Sequence, residues 1–311
     1  MHSRLVADLS NNALIGVTGD DAAAFLHGQF TNDVASLGAG EAQWNGWCSP
    51  KGRLLATFLL LRTGDRFLMV LPAEIAPGIA KRLKMYVLRS KVKIVEESEL
   101  YACIGIAGPE AAKSVADHWG AAPAAMRSAE RDGAICVGLG GGRFLALVPP
   151  KAAPAMWDLL ASAEARGGEE EWEWTSIQAG IPTIVAATQE AFVPQMANLD
   201  LVGGVSFTKG CYPGQEIVAR TQYRGGLKRR MALAHLAGGD RPAPGQSVYS
   251  SAFGDQSAGT IVNAAPAPGG GFDALVVAQL ESLSKGDLRL GSPDGPRLEI
   301  RRQPSAPAGG A

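Results

Sequence analysis

Two pairs of apolar runs, each closed by a short glycine turn, constrain this chain most. Residues 54–61 and 67–71 flank Arg62-Thr63-Gly64-Asp65-Arg66, and residues 134–139 and 144–148 flank Gly140-Gly141-Gly142. Runs joined by so few residues pair as hairpins, because a parallel pair needs a crossover of about a dozen residues or more. The sheets are therefore expected to be antiparallel. Further strands are expected at 14–17, 91–95 and 101–107, and 44–48 leads into the turn Ser49-Pro50-Lys51-Gly52-Arg53. Apolar residues at helical spacing predict helices from Gly19-Asp20-Asp21 to about Phe30, and over 74–89, 109–119, 153–166 and 172–179. The acidic pair suits a helix N-terminus, and Gly180 suits the position after a helix end. Strands and helices thus alternate in two similar blocks, an α+β pattern. From residue 231 only short strands with turn residues follow, at 231–236, 246–249, 259–262, 274–279, 287–290 and 298–300, as in a small β domain. The expected organisation is a first α+β module over 1–95, a second over 96–230, a β-barrel over 231–303 and a disordered tail over 304–311.

Several function classes are disfavoured. No G-x-G-x-x-G follows a strand and no G-x-x-x-x-G-K-[ST] occurs, so dinucleotide and P-loop folds lack support. A net charge of −1 leaves any anionic partner to a local patch. The four cysteines, Cys48, Cys103, Cys136 and Cys211, have no zinc-like spacing, and no metal site is expected. The opening residues lack the apolar core of a secretory signal, and the longest apolar run is far short of the ~20 residues of a membrane helix. A cytoplasmic protein with reduced thiols, no membrane partner and a monomeric state is the expectation. Cys103 and Cys136 lie in strand-like runs and read as small core residues.

Chemistry concentrates in residues 209–230, KGCYPGQEIVARTQYRGGLKRR. Gly210 and Gly214 flank Cys211 and allow a tight turn. A helix starting at Gln215 would place Cys211 just before its N-terminus, with Lys209 two residues away, a setting that favours a thiolate. Two readings stand side by side: a reactive thiol, and a small side chain buried in a glycine turn. Glu216 fits an acid/base group or a carboxylate at a helix start. Arg220, Arg224, Lys228, Arg229 and Arg230 form a cation strip for a phosphate, a polyglutamate or RNA, or a solvated face. Residues 181–204 show no period, and long irregular segments are often functional. Within them Gln195 and Asn198 are neutral amides that can both donate and accept, or cap a loop.

The 209–230 stretch, with the preceding FVPQMANLDLVGGVSF, resembles the signature of the YgfZ family of folate-binding proteins, relatives of the glycine-cleavage T protein, an aminomethyltransferase. VTGDDAAAFLHGQFTNDV and SPKGRLLATFLLL also match, so the resemblance covers nearly the whole chain. It implies an aminomethyltransferase-like cloverleaf of two antiparallel, ferredoxin-like α+β modules plus a C-terminal β-barrel, around a folate-sized cavity. It implies a folate-binding accessory protein for synthesis or repair of iron–sulfur clusters in a subset of enzymes, including radical enzymes that thiomethylate tRNA. Client enzymes or assembly factors would be its partners, with tRNA met indirectly. Tetrahydrofolate or a derivative would be the cofactor, and any cluster would be held transiently. The motif cysteine carries function in the family, here Cys211, with Lys209 and Glu216 beside it. The folate contacts implied or expected are Trp172, Gln195, Asn198, Tyr212, Gln215, Arg220, Arg224 and Lys228. A second tryptophan expected before the first strand is replaced by Asn11-Asn12. The turn that carries an aspartate in the aminomethyltransferases reads Ser49-Pro50-Lys51-Gly52-Arg53 here. Cations cannot stabilise a developing iminium, which speaks against aminomethyl transfer. A folate-dependent one-carbon transferase and a tRNA-binding module using the cation strip are the competing functions.

Overall fold

The structure, a computed structural model, describes residues 4–161, 165–223 and 226–304. The expected tail over 304–311 lies, apart from Pro304, outside the described residues. In chain order the elements are β1 (Leu5–Asp8), β2 (Asn12–Thr18), α1 (Ala22–His27), β3 (Ala42–Cys48), β4 (Leu54–Thr63), β5 (Arg66–Pro72), α2 (Ala76–Lys84) and β6 (Lys93–Glu96). Then come β7 (Ala102–Ala107), α3 (Ala111–Trp119), β8 (Ser128–Arg131), β9 (Ala134–Gly140), β10 (Arg143–Val148), α4 (Ala153–Leu160), β11 (Arg166–Gly167) and α5 (Glu169–Ala179). The remainder is α6 (Gln215–Tyr223), β12 (Arg229–Leu236), β13 (Ser247–Tyr249), β14 (Gly259–Pro266), β15 (Phe272–Gln279), α7 (Leu280–Lys285), β16 (Leu288–Leu290) and β17 (Arg297–Arg302).

The chain forms two compact units. Unit 1 comprises Met1–Leu26, Val34–Gln43 and Phe58–Thr175; unit 2 comprises His27–Asp33, Trp44–Thr57 and Ser176–Ala311. Both expected hairpins form, β4–β5 and β9–β10, and both are antiparallel. One sheet has the order β3-β4-β5-β2-β6, and the other β11-β1-β7-β10-β9-β8. The second sheet takes β1 from the start of the chain, paired antiparallel with β7 and parallel with β11. That short strand carries too little pattern to be read from sequence. Its inner face packs Val6, Ile104, Ile106, Phe144 and Ala146 against Val115 and Trp119 of α3 and Met156 and Leu160 of α4. Burying several such side chains, at about 1.5–3 kcal/mol each, holds the helices on that face.

Three helices are shorter than their periodicity predicts. The helix expected to reach Phe30 ends at His27. The one expected to reach Arg89 ends at Lys84, and Leu88 beyond it adopts a left-handed backbone with φ 47°. The one expected to reach Arg166 ends at Leu160, because Arg166 and Gly167 pair with β1. Past the first two ends the apolar spacing continued, but turns claimed the residues. Gly180, at φ 73°, follows α5 as expected.

In unit 2 all six short strands expected after residue 231 form a closed barrel, β12-β15-β14-β13-β16-β17. Its interior holds Ala232, Ala234, Ile261, Val276, Leu288 and Leu298. Small alanines on β12 and β15 leave room for the branched chains opposite, which suits a barrel this narrow. His235 Nδ1 lies 2.8 Å from Asp273 Oδ1, and Asp273 also accepts from Gln178 Nε2 at 2.8 Å.

Candidate functional site

The site centres on the loop before α6, in unit 2. Lys209 is 8% exposed despite its charge. Its ammonium donates to the carbonyls of His27 and Phe30, the latter at 2.7 Å, and sits 4.7 Å from the centre of the Tyr212 ring. His27 ends α1, where carbonyls lack intrahelical partners, and a lysine from far along the chain meets that carbonyl together with the one of Phe30 beyond the helix. Burial pushes the Lys209 pKa down to about 8, while Asp33 and Cys211 pull it the other way. Asp33 in turn lies 3.1 Å from His27 Nδ1. Thr31, fully buried, donates to Gly204 at 2.6 Å and accepts from Gly46 at 2.8 Å. Asn32 donates to Trp44 and Gly203. The run His27–Asp33 thus ties β3 to the segment that leads into Lys209. His27 and Phe30 fall within the first helix that the sequence predicts, and Thr31, Asn32 and Asp33 just past it; the Phe-Thr-Asn-Asp run there was the available signal.

Cys211 is exposed, whereas Cys48, Cys103 and Cys136 are buried, and all four thiols are free. Burial raises the pKa of each buried thiol to about 12, with Asp8 adding to the rise at Cys103. They remain protonated and inert at neutral pH, which agrees with core packing for Cys103 and Cys136. Cys48 is close enough to Tyr212 to reinforce the burial that raises the phenol pKa.

The Cys211 loop is locked by two glycines. Gly214 has φ 79°, and a Cβ there would fall 2.5 Å from the Gly52 Cα and 2.6 Å from the Ser49 carbonyl oxygen. The Ser49–Arg53 turn is closed by Ser49 N–H to Arg53 O and Gly52 N–H to Ser49 O, both 2.8 Å. Backbone therefore lies directly on backbone. Arg53 is tied to the Ala191 carbonyl at 2.6 Å, whereas Lys51 is exposed. Gln215 spans the loop, its amide donating to the carbonyls of Lys209 and Gly210 at 3.4 Å each. Glu216 is exposed in the first turn of α6, where a carboxylate complements the free N–H groups. Cys211 itself lies four residues ahead of that helix.

Gln195 is 1% exposed; its Nε2 donates to the Val218 carbonyl of α6 at 2.7 Å, and its Oε1 has no partner among the described residues. It lines a cleft of about 260 Å³ with Thr221, Gln222, Leu227, Arg230 and Leu280. Arg230 makes a two-point pair with Asp200, at 2.7 and 2.9 Å. Asn198, at φ 54°, spends its amide on the backbone of β12, donating to Met231 O at 2.7 Å and accepting from Met231 N at 3.3 Å. Arg220 and Lys228 are exposed, and Arg224 lies outside the described residues.

Trp172 belongs to unit 1. A Cβ on Gly105 would meet its ring at 2.6 Å, and the Arg143 guanidinium lies 4.7 Å from the ring centre. Arg143, its pKa lowered to about 10 by burial, also donates to Thr175 at 3.0 Å. The structure therefore gathers Cys211, Lys209, Tyr212, Gln215, Glu216, Gln195 and Asn198 within unit 2, around α6 and the loop before it, and places Trp172 on the second sheet of unit 1. Among the described residues no group of three or more His, Cys, Asp or Glu side chains is arranged to hold a metal ion. No helix among them is long and apolar enough to cross a membrane.

Comparison with known proteins adds three findings. The family model described as the GCVT N-terminal domain matches residues 2–127. Among curated relatives, the tRNA-modifying protein YgfZ of Cronobacter sakazakii is 34% identical over 245 residues, covering 77% of this chain and 74% of that protein. Its counterpart in Shigella sonnei is 31% identical over 243 residues, with the same coverage of 77% and 74%. Among solved structures, the glycine cleavage system aminomethyltransferase T from Bartonella henselae superposes with a TM-score of 0.79 at 18% identity, covering 97% of this chain and 86% of that one. The expected aminomethyltransferase-like α+β fold with a C-terminal barrel is the fold found.

Proposed function

The chain belongs to the YgfZ family of tRNA-modifying proteins, and from that premise we propose that it is a folate-binding accessory protein for iron–sulfur enzymes, acting through Cys211. The observation that carries this reading is the contrast among the thiols. One cysteine of four is exposed, and it stands on a loop that two interlocked glycines and a buried lysine hold in place. A thiol presented this way can bind, exchange with or protect an iron or sulfur atom delivered to a client. The client's cluster is then the cargo, and the other three cysteines stay out of the chemistry.

The cleft beside α6 supports the folate part. A buried amide oxygen without a partner calls for an N–H donor, which the edge of a pterin offers, and Leu227 and Leu280 supply apolar walls. At about 260 Å³ the cleft is smaller than the ~300–1,000 Å³ of sites for drug-sized ligands, so it suits the ring end of the molecule only. Exposed Arg220 and Lys228 could meet a glutamate tail. Tetrahydrofolate would supply a one-carbon carrier; Gln195 would hold its ring. The turn packed against the Cys211 loop holds Lys51 and Arg53 and no carboxylate, which argues against aminomethyl transfer.

Two measurements test the proposal. Deleting the gene should lower the activity of a tRNA-thiomethylating radical enzyme, and Cys211→Ser should fail to restore it. Full restoration by that variant would remove the thiol from the function. Tetrahydrofolate should bind the purified protein, and Gln195→Leu should weaken binding at least about tenfold, since it leaves a ligand donor unpaired. Equal affinity in both proteins would place the folate elsewhere.

A further inference from the structure

The knuckle that follows α2 in unit 1 has the surface of a nucleic-acid contact, and we infer that it docks RNA through phosphates and unpaired bases. Residues 81–93 contain Lys81, Arg82, Lys84, Arg89, Lys91 and Lys93 and no acidic residue. Lys81, Arg82 and Lys84 end α2, where cations suit the negative pole of the helix. That accounts for the three cations and for nothing else on the knuckle. Met85 is 64% exposed, Tyr86 37% and Leu88 89%. Leu88 also adopts φ 47°, a region that bulky side chains rarely enter. A leucine that is both backbone-strained and solvated gains nothing within this chain, and such residues cluster where a partner makes use of them.

The chemistry of the partner follows from the charges. Lys91 lies 3.1 Å from Asp20. Lys81, Lys84, Arg89 and Lys93 have no acidic side chain at ion-pair distance among the described residues. A second copy of the chain would set two cationic surfaces face to face, so a self-pair is opposed. An RNA answers both features. Its phosphates meet the free cations, and splayed bases stack on the Tyr86 ring and lie against Met85 and Leu88. Beside them is a concavity of about 590 Å³ lined by Tyr86, Val87, Leu88, Arg89 and Ser90, room enough for a base. With a whole-chain charge of −1, attraction is confined to such local surfaces. This inference does not depend on the folate or thiol chemistry proposed for unit 2.

Fluorescence anisotropy with purified bacterial tRNA, over about 50 to 200 mM salt, tests it. Four free cations at about 0.7 counterions each predict a slope of log affinity against log salt near −3. Lys84→Ala with Arg89→Ala should flatten that slope by about 1.4. Leu88→Ser with Tyr86→Ser should weaken binding about tenfold with the slope unchanged, because stacking carries no counterion release. Circular dichroism melts confirm that these surface variants fold. The inference is overturned by an absence of tRNA binding at the lowest salt, or by unchanged binding in both double variants. It is equally overturned if binding is lost only with Arg220→Ala and Lys228→Ala in unit 2. Loss of an acidic protein partner in the knuckle variants, with tRNA binding intact, would reassign the surface to a protein.

Discussion

Gly214→Ala should be the most damaging single-methyl change near Cys211. The residue sits at φ 79°, where an L side chain costs about 1–2 kcal/mol. The added Cβ would also meet Gly52 Cα at 2.5 Å, Gly52 N at 2.6 Å and Ser49 O at 2.6 Å. All three atoms are backbone, so no rotamer change relieves the crowding, and overpacking of this kind adds about 1–3 kcal/mol. The expected loss is therefore about 2–5 kcal/mol. Gly203→Ala is the control. Gly203 lies in the same unit at φ 76° with nothing within 4 Å of its would-be Cβ, so only the backbone term of about 1–2 kcal/mol applies. Urea midpoints at constant m-value give both numbers. If Gly214→Ala destabilises no more than Gly203→Ala, the interlock between the two turns is not tight and the account of how Cys211 is held is wrong. If the interlock holds the loop, Gly214→Ala should also change the rate at which Cys211 reacts with a thiol reagent.

Other outcomes follow from the same geometry. In the native protein one thiol per chain, Cys211, should react with a chromogenic disulfide, and four should react in denaturant; a second fast native thiol would contradict the burial of the others. Removing Arg230 leaves the Asp200 carboxylate, 7% exposed, without its partner, so Arg230→Ala should cost about 3–5 kcal/mol, and Arg230→Met with Asp200→Leu clearly less. Equal losses in the two proteins would show that the pair is not coupled. Lys209 has a pKa of about 8 in the fold and 10.5 as an ordinary lysine. Between those values the unfolded chain binds more protons, so this residue makes stability rise as pH goes from 8 to 10.5. Subtracting the urea stability of Lys209→Met from that of the wild type across this window should leave a difference that grows with pH. A flat difference would mean that the ammonium is not desolvated.

The architecture was legible because it rests on local rules. Gly64-Asp65 and Gly140-Gly141-Gly142 could only close hairpins, and the six barrel strands announced themselves by short apolar runs between turn residues. Periodicity failed where backbone pairing overruled it. Arg166 closes a helical pattern yet pairs, with Gly167, against β1, and residues 85–88 left the helix for a turn. Of the site, the motif loop could be located and its residue types weighed. The partners could not be seen. Lys209 reads as a cation placed to help a thiolate, yet its ammonium donates to two carbonyls more than a hundred residues earlier, those of His27 and Phe30. Asn198 reads equally as a ligand amide or a backbone cap, and the backbone that its amide meets, at Met231, lies 33 residues further on.

The chain by itself determined the antiparallel sheets, the barrel and the identity of the one loop dense in chemistry, since hairpin turns, strand alternation and glycine placement act over a few residues. Only the tertiary structure decided which cysteine is exposed, which lysine is buried and which amide oxygen is left without a partner. Those properties depend on what packs against a side chain from distant sequence, as Gly52 does on Gly214 and Phe30 on Lys209. Burial and long-range pairing set reactivity here, and neither has a local signature.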